Sequence, residues 1–423
     1  MLRKILDYVS PHYFYNTLWL IGENLVRIGS GVVVIYYLAR YLGPEDYGNL
    51  SYSQSFVSIG AAFSTLGIDV ILVREIVAGR ISESRLLGSA CALRFFAALI
   101  SILSICILAS VLGSSDTELL IFIISISIVF DVSNTLDTYF QAKVLSKKSA
   151  IVKTLVTLAS SVLKLSFVYN SASVVYFAWL LVIDSVMMVF GYYLIYVRSR
   201  KKFDGLVFDV ATALYLLRRG WPLMLVTVSV LMYTKVDQIM IKHLMNGQSV
   251  GYYTVAVKLS TILNFIPLMI VQSIFPKIVN VKLKGSEMEY FSLLRFLYRV
   301  MMFVSIPIAI LMFFCGGYIV DRLFGIQYEP AAGILRILSF TIILVSVGSV
   351  TTKIMYAENY EKKYLYRSLI GVAINVVLNW FLIPMWGGQG AALSTIITLF
   401  VLFYVFDLLD KDLRKYWLLK FLR

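Results

Sequence analysis

The run SLIGVAINVVLNWFLIPMWGGQGAALSTIITLFVLFYVF, residues 368–406, lies between Arg367 and Asp407 and holds no charged side chain in 39 positions. It is broken once, at Pro384-Met385-Trp386-Gly387-Gly388-Gln389-Gly390. A hydrocarbon core about 30 Å thick needs roughly 20 apolar residues per helical crossing, so the run predicts two membrane helices joined by a tight hairpin. Lipid offers no partner to stray backbone N–H and C=O groups, so each crossing must be a helix that satisfies its own ladder.

The pattern recurs along all 423 residues. With 60% hydrophobic and 15% charged residues and a mean hydropathy of +0.83, a water-soluble fold would expose large apolar patches. Apolar runs separated by charged or Gly/Pro-containing breaks give about twelve spans, centred near residues 28, 58, 99, 130, 160, 185, 231, 263, 308, 344, 376 and 398. The expected fold is an all-α integral membrane protein, about twelve transmembrane helices in two six-helix lobes around a central cleft. Its parts are an N-terminal lobe over residues 1–200, a cytoplasmic linker over 201–211, a C-terminal lobe over 212–410 and a cytoplasmic amphipathic tail over 411–423.

Two segments support the two-lobe reading. Leu42-Gly43-Pro44-Glu45-Asp46-Tyr47-Gly48-Asn49 and Met245-Asn246-Gly247-Gln248-Ser249-Val250-Gly251-Tyr252 lie about half a chain apart, each joining a charge-bearing span to a Ser/Thr-bearing one. Six spans per half is an even number, so both halves enter the membrane in the same direction. Basic residues set the orientation, because positively charged short loops stay in the cytoplasm. Of 38 Lys and Arg, 29 fall in the N-terminus (Arg3, Lys4), the even-numbered connections and the C-terminal tail. Both termini are therefore expected in the cytoplasm, and the net charge of +14 is accounted for by orientation and anionic lipid headgroups rather than nucleic acid. The aromatic N-terminus lacks a small-residue cleavage site after a short apolar stretch, so the first span is expected to be retained. In the tail, Lys411 to Phe421 alternates basic and bulky apolar positions as an interfacial helix would.

Enzyme and metal chemistry find little material. Two histidines, His12 and His243, and three cysteines, Cys91, Cys106 and Cys315, all in apolar spans, supply neither a disulfide framework nor a transition-metal site nor a His-based triad. No cofactor is expected. The longest extracytoplasmic connection, roughly Tyr318 to Gly333, is too short to house a membrane glycosyltransferase or polysaccharide polymerase.

Ala39-Arg40-Tyr41-Leu42-Gly43-Pro44-Glu45-Asp46-Tyr47-Gly48, followed by Leu66-Gly67-Ile68-Asp69 through Arg74-Glu75, resembles the first two helices of polysaccharide-biosynthesis transporters. Trp221-Pro222 leading to Lys235-Val236-Asp237-Gln238 and then Val250-Gly251-Tyr252-Tyr253 resembles the start of their second lobe. The resemblance implies the O-antigen flippase (Wzx-type) branch of the multidrug/oligosaccharidyl-lipid/polysaccharide exporter superfamily. It implies movement of undecaprenyl-pyrophosphate-linked sugars from the cytoplasmic to the periplasmic leaflet of a bacterial inner membrane. It also implies H+ or Na+ as coupling ion, and a polysaccharide polymerase and chain-length regulator as protein partners. A cation-coupled multidrug exporter of the same superfamily is the alternative, for which cationic cavity residues would be electrostatically poor.

Charges inside spans cost about 2.5 to 3.5 kcal/mol on insertion scales and so face a cavity or a partner. In the first span Glu23 and Arg27 lie four apart on one face, with Asn16 and Ser30. The fourth span carries Ser127, Asp131, Asn134, Thr138 and Gln141 as a polar stripe, and the fifth Lys153, Thr157, Ser160 and Lys164. Arg94, Asp184, Lys235 and Asp237 complete the set, leaving the last five spans without a deep charge. A pyrophosphate needs positive partners, so Arg27 and Lys235, then Lys164 and Arg94, are the expected substrate-binding residues. Asp131 is the favoured coupling carboxylate, with Glu23, Asp237 and Asp184 behind it.

Overall fold

A computed structural model describes residues 11–112, 115–199 and 205–420. Arg3, Lys4, residues 201–204 of the expected linker and the side chains of His12 and Asn16 lie outside the described residues. Among those described there are helices and turns and no strand. Among the described residues, nine helices are long and apolar enough to cross a membrane, and a tenth is gained if Ile326–Leu338 and Thr341–Ala357, bent by 44°, are taken together. The chain is a multi-pass α-helical membrane protein.

Two of the nine contain a break. Gly43 (φ 73°, ψ 173°) interrupts α1, Pro11–Ser64, and Gly387 (φ 55°, ψ −133°) interrupts the long helix Glu361–Phe400, both in conformations that only glycine enters without strain. At Gly387 the chain reverses. The Ser394 hydroxyl donates to the carbonyl of Asn375 at 3.2 Å, whereas residues 19 apart on a straight helix stand about 28 Å apart along its axis. The hairpin predicted from the uncharged run is present within the expected break, Pro384 to Gly390, and turns at Gly387.

The chain forms two compact units, Met1–Leu42 with Ser53–Val228, and Gly43–Tyr52 with Ser229–Arg423. In the first, α2 (Asp69–Ala78), α3 (Glu83–Leu112), α4 (Ser115–Ser125), α5 (Ser127–Phe130), α6 (Asn134–Ala142), α7 (Ser146–Tyr169) and α8 (Val174–Ser199) follow α1. Their core contains Ile68, Leu72, Leu86, Leu87, Phe140 and Tyr192, with Phe140 stacked on Tyr192. The described end of the expected linker is tethered to this unit. The amide of Val207 donates to Ser84 O at 3.1 Å, and Asp209 caps α9, Val210–Leu244, by accepting from the amide of Thr212 at 2.9 Å and from its hydroxyl. Those Thr212 donors hold the Asp209 carboxyl below the usual carboxylate range.

The second unit is built on the end of α9, on α10 (Gly247–Lys284), α11 (Glu287–Phe324), α12 (Glu329–Leu338) and α13 (Thr341–Ala357), and on the hairpin, α14 (Glu361–Phe400). At 38 residues each, α10 and α11 are about 57 Å long and outreach a bilayer core of about 30 Å. Their separation is only Gly285-Ser286, where Ser286 accepts from the amide of Glu289 in an S-x-x-E capping box. The expected loop from Tyr318 to Gly333 is mostly helical: α11 runs to Phe324, and α12 begins at Glu329.

The two segments read as a repeat pack against each other in this unit. An added Cβ on Gly251 would stand 1.9 Å from Pro44 O, and one on Gly48 would stand 1.9 Å from Gly247 O. Lys242 donates to Asn49 Oδ1 at 2.7 Å beside this contact. Gly251→Val is therefore expected to lower stability by about 1–3 kcal/mol through overpacking. Thermal unfolding in detergent should show an earlier transition for Gly251→Val and none for Gly29→Val, where nothing lies within 4 Å.

The tail does not lie free at an interface. After a π-helical turn at Val401–Val405 and α15 (Phe406–Leu409), it folds back as α16 (Arg414–Trp417) and a final turn. Leu413, Tyr416 and Leu419 enter the core beside Tyr290, Leu294 and Ile354. Tyr416 donates to Glu358 Oε1 at 2.6 Å, and Lys282 pairs with the same atom at 2.7 Å. Burial raises the Glu358 carboxyl, but these two donors more than offset it and hold Glu358 below its ordinary range.

Candidate functional site

Three of the four cations expected to bind substrate already have carboxylate partners within the first unit. Arg27 Nε stands 3.3 Å from Glu23 Oε1, with the guanidinium also donating to Asn24, so the pair foreseen from the i, i+4 spacing forms. Lys164 pairs with Asp184 at 2.7 Å and donates to Ser160. Arg94 pairs with Asp69 at 2.6 Å and donates to Thr135 at 3.2 Å. Glu23 and Arg94 are buried, while the Arg27 side chain stays 60% exposed. Asp131 joins neither Lys164 nor Arg27.

The first unit contains a cavity of about 360 Å³ lined by Asp69, Arg94, Asp131, Asn134, Asp137, Thr138 and Gln141, among others. The polar stripe of the fourth span supplies Asp131, Asn134, Thr138 and Gln141 to this wall, but not as a continuous helix. The chain tightens to a 3-10 turn at Asp131–Ser133 between α5 and α6, which rotates the following residues and brings Asp137 to the cavity as well. Asp137 accepts from Lys153 at 2.8 Å, from Gln141 at 3.0 Å and from Ser149. Thr138 donates to Asp69 at 2.8 Å. Of the three carboxylates in the wall, Asp69 is paired with Arg94 and Asp137 with Lys153, which leaves Asp131 as the one open to a cation from the cavity, with Arg94 the charge that acts on it. Asp69 and Asp137 were not among the candidates. Asp69 sits at a helix start, where a carboxylate reads as an ordinary end residue.

The second unit holds a carboxylate of a different kind. Asp237 is buried and accepts from the Tyr253 hydroxyl at 2.5 Å, Asn379 Nδ2 at 2.6 Å and Thr395 Oγ1 at 2.8 Å, all neutral donors. Asn379 also donates to Asn375 Oδ1 at 3.1 Å, and its own Oδ1 is a buried acceptor without a hydrogen bond. No cation of the described residues pairs with Asp237, which is unusual for a buried carboxylate. Rotating the Asn379 amide by half a turn would set an oxygen beside those of Asp237, Asn375 and Thr395. Such a set is an oxygen shell for a hard monovalent cation, or a relay for a proton. No group of three or more His, Cys, Asp or Glu side chains placed to hold a metal ion occurs among the described residues.

Lys235, two residues earlier on α9, pairs with no carboxylate among the described residues. Lys258 on α10 is the charge that acts on it, and Lys258 itself lies 5.3 Å above the Tyr47 ring. Lys235 thus feels a second ammonium group within the same unit. The residue order alone does not give the helical phase of Lys258 relative to Lys235.

The reading that charge in the second half is confined to its first helix needs correction. Arg367, Asp407 and Lys420 are 2%, 1% and 1% exposed. Lys420 Nζ donates to Asp407 Oδ2 at 2.5 Å and to Phe403 O, Arg367 Nη1 stands 3.7 Å from Asp407 Oδ1, and Arg367 Nη2 donates to Thr352 at 2.9 Å. The residues that bounded the uncharged run are drawn inside because the tail closes over them.

The family profile described as "Polysaccharide biosynthesis protein" matches residues 14–282. The "Uncharacterized membrane protein MJ1068" of Methanocaldococcus jannaschii is 27% identical over 311 residues, which are 69% of this chain and 59% of that protein's length. The "Probable flippase AglR" of Haloferax volcanii is 23% identical over 390 residues, covering 89% of this chain and 79% of that one. A solved structure described as "Lipid II flippase MurJ, inward closed conformation" matches with a TM-score of 0.72 at 15% identity, over 96% of this chain and 90% of that chain. At that identity the match shows a shared fold.

Proposed function

Because the chain belongs to the polysaccharide biosynthesis protein family, we propose that it is a flippase, not an enzyme, that moves a pyrophosphate-linked oligosaccharide lipid between leaflets by alternating access coupled to a cation. The relative described as a probable flippase supports this class of activity. The observation that carries the reading is Lys235. Of the four cations expected to meet substrate it alone pairs with no carboxylate of the described residues, and Lys258 acts on it. A pyrophosphate shared by the two ammonium groups would relieve the repulsion that Lys258 exerts on Lys235 while forming charge-assisted hydrogen bonds.

Under this reading the chain crosses the cytoplasmic membrane twelve times, the breaks at Gly43 and Gly387 each dividing one long helix into two crossings. Both termini face the cytoplasm, and a polymerase and chain-length regulator receive the cargo outside. Arg27, held by Glu23, is the second-rank cation for the headgroup. The coupling ion is assigned to Asp237, with Asp131 in the cavity of the first unit as the competing site.

The test is movement of undecaprenyl-pyrophosphate-linked oligosaccharide in liposomes with imposed pH or sodium gradients. The double change Lys235→Gln, Lys258→Gln is expected to reduce transport by roughly a hundredfold, as two charge-assisted contacts are lost, and Lys235→Arg to retain most of it. Wild-type rates in the double variant would remove the site assignment. Export of cationic drugs without lipid movement would replace the function with that of a multidrug exporter.

A further inference from the structure

The second unit has a second cavity, of about 450 Å³, whose wall is mostly apolar and includes Phe265, Leu268, Met269, Val345 and Phe403. Its polar end is Lys353, which also lines it. Lys353 donates to Gln272 Oε1 at 2.7 Å, lies 4.8 Å above the Phe275 ring and pairs with no carboxylate among the described residues. Gln272 lies fourteen residues beyond Lys258 on α10, about 21 Å along the helix axis, so this is not the pair assigned to the pyrophosphate.

The surroundings add positive charge. Thr352 and Phe403 line the cavity, and behind them stand Arg367, bonded to Thr352, and Lys420, bonded to Phe403 O, against Asp407 alone. Two buried cations, one buried carboxylate and the unpaired Lys353 leave an excess of positive charge at one end of an apolar chamber. An apolar chain carrying a phosphate is complementary to both features: its hydrocarbon fills the chamber, and its phosphate meets Lys353.

We propose that this cavity is a docking site for the polyprenyl phosphate portion of the lipid carrier, holding the first prenyl units against Phe265, Leu268 and Phe403 with the proximal phosphate on Lys353. The inference rests on the lipid-linked cargo proposed above and adds a station separate from Lys235 and Lys258. The pyrophosphate then meets the two stations in turn, Lys353 on α13 and the Lys235 and Lys258 pair on α9 and α10.

The experiment titrates a fluorescent polyprenyl phosphate into the full chain in nanodiscs, with phosphatidylglycerol as competitor. Lys353→Gln is expected to weaken binding about tenfold, the worth of one charge-assisted contact, Lys353→Arg to restore it, and Ser349→Phe, which fills the chamber from its wall, to abolish it. Gel filtration and thermal unfolding check that each variant is folded; should Ser349→Phe misfold, the Gln and Arg pair at Lys353 decides. Wild-type affinity in Lys353→Gln overturns the site and leaves the proposed function standing, as does equal competition by phosphatidylglycerol. A wild-type protein that binds no polyprenyl phosphate overturns both.

Discussion

Asp237→Asn is expected to abolish gradient-driven transport, by at least about a hundredfold, while the protein folds and inserts normally. The substitution preserves shape and lets the hydroxyls of Tyr253 and Thr395 keep a partner in the amide oxygen. It removes the one negative charge that could balance a cation among the oxygens of Asn375, Asn379 and Thr395. Away from water such a cation without a counter-charge costs several kcal/mol, enough for two decades or more of affinity. Uptake measured in liposomes should no longer respond to pH or sodium gradients, and downhill exchange without a gradient should survive. Asp131→Asn is the comparison. If Asp131→Asn loses coupling and Asp237→Asn keeps it, the coupling site belongs in the cavity of the first unit.

The largest stability effect is expected at Asp407. Removing its carboxylate by Asp407→Ala leaves Arg367 and Lys420 buried with no anion, a change that costs about 3–5 kcal/mol when one partner of a buried pair is removed. Lys420 sets a limit on that cost. Burial already pushes its ammonium down, against the pull of Asp407, so it can shed a proton once the carboxylate is gone. Arg367 cannot. The thermal transition in detergent should therefore fall steeply for Asp407→Ala and recover in the triple change Asp407→Leu, Arg367→Met, Lys420→Met, in which no charge remains buried. Equal transitions for wild type and Asp407→Ala would show that the tail does not close over the site in solution.

Both expectations concern residues that the amino-acid order presents differently from the folded chain. Asp237 is visible as an isolated acid in a span, and Asn375 and Asn379 as a pair four apart, yet nothing in the order joins α9 to the hairpin. Arg367 and Asp407 mark the ends of an uncharged run, which reads as two membrane boundaries. Lys420 falls in a basic and apolar alternation that suits a membrane surface equally well. By contrast, the Glu23–Arg27 pair was legible because i, i+4 spacing fixes a contact within one helix. The stripe from Asp131 to Gln141 was legible as polar, though the 3-10 turn that redirects it was not.

The order of residues alone determined that this is a helical membrane protein, that its uncharged run breaks between Pro384 and Gly390, and which family it resembles. The reason is that hydropathy, helical period and glycine conformations act over a few residues, and lipid leaves no other way to satisfy the backbone. Only the tertiary structure decided which charges are spent on one another. Pairing of Lys164 with Asp184, Arg94 with Asp69, and Lys420 with Asp407 depends on which helices touch and in what rotation. That Lys235, Lys258, Lys353 and the caged Asp237 have no ion-pair partner among the described residues emerges only after that packing is known.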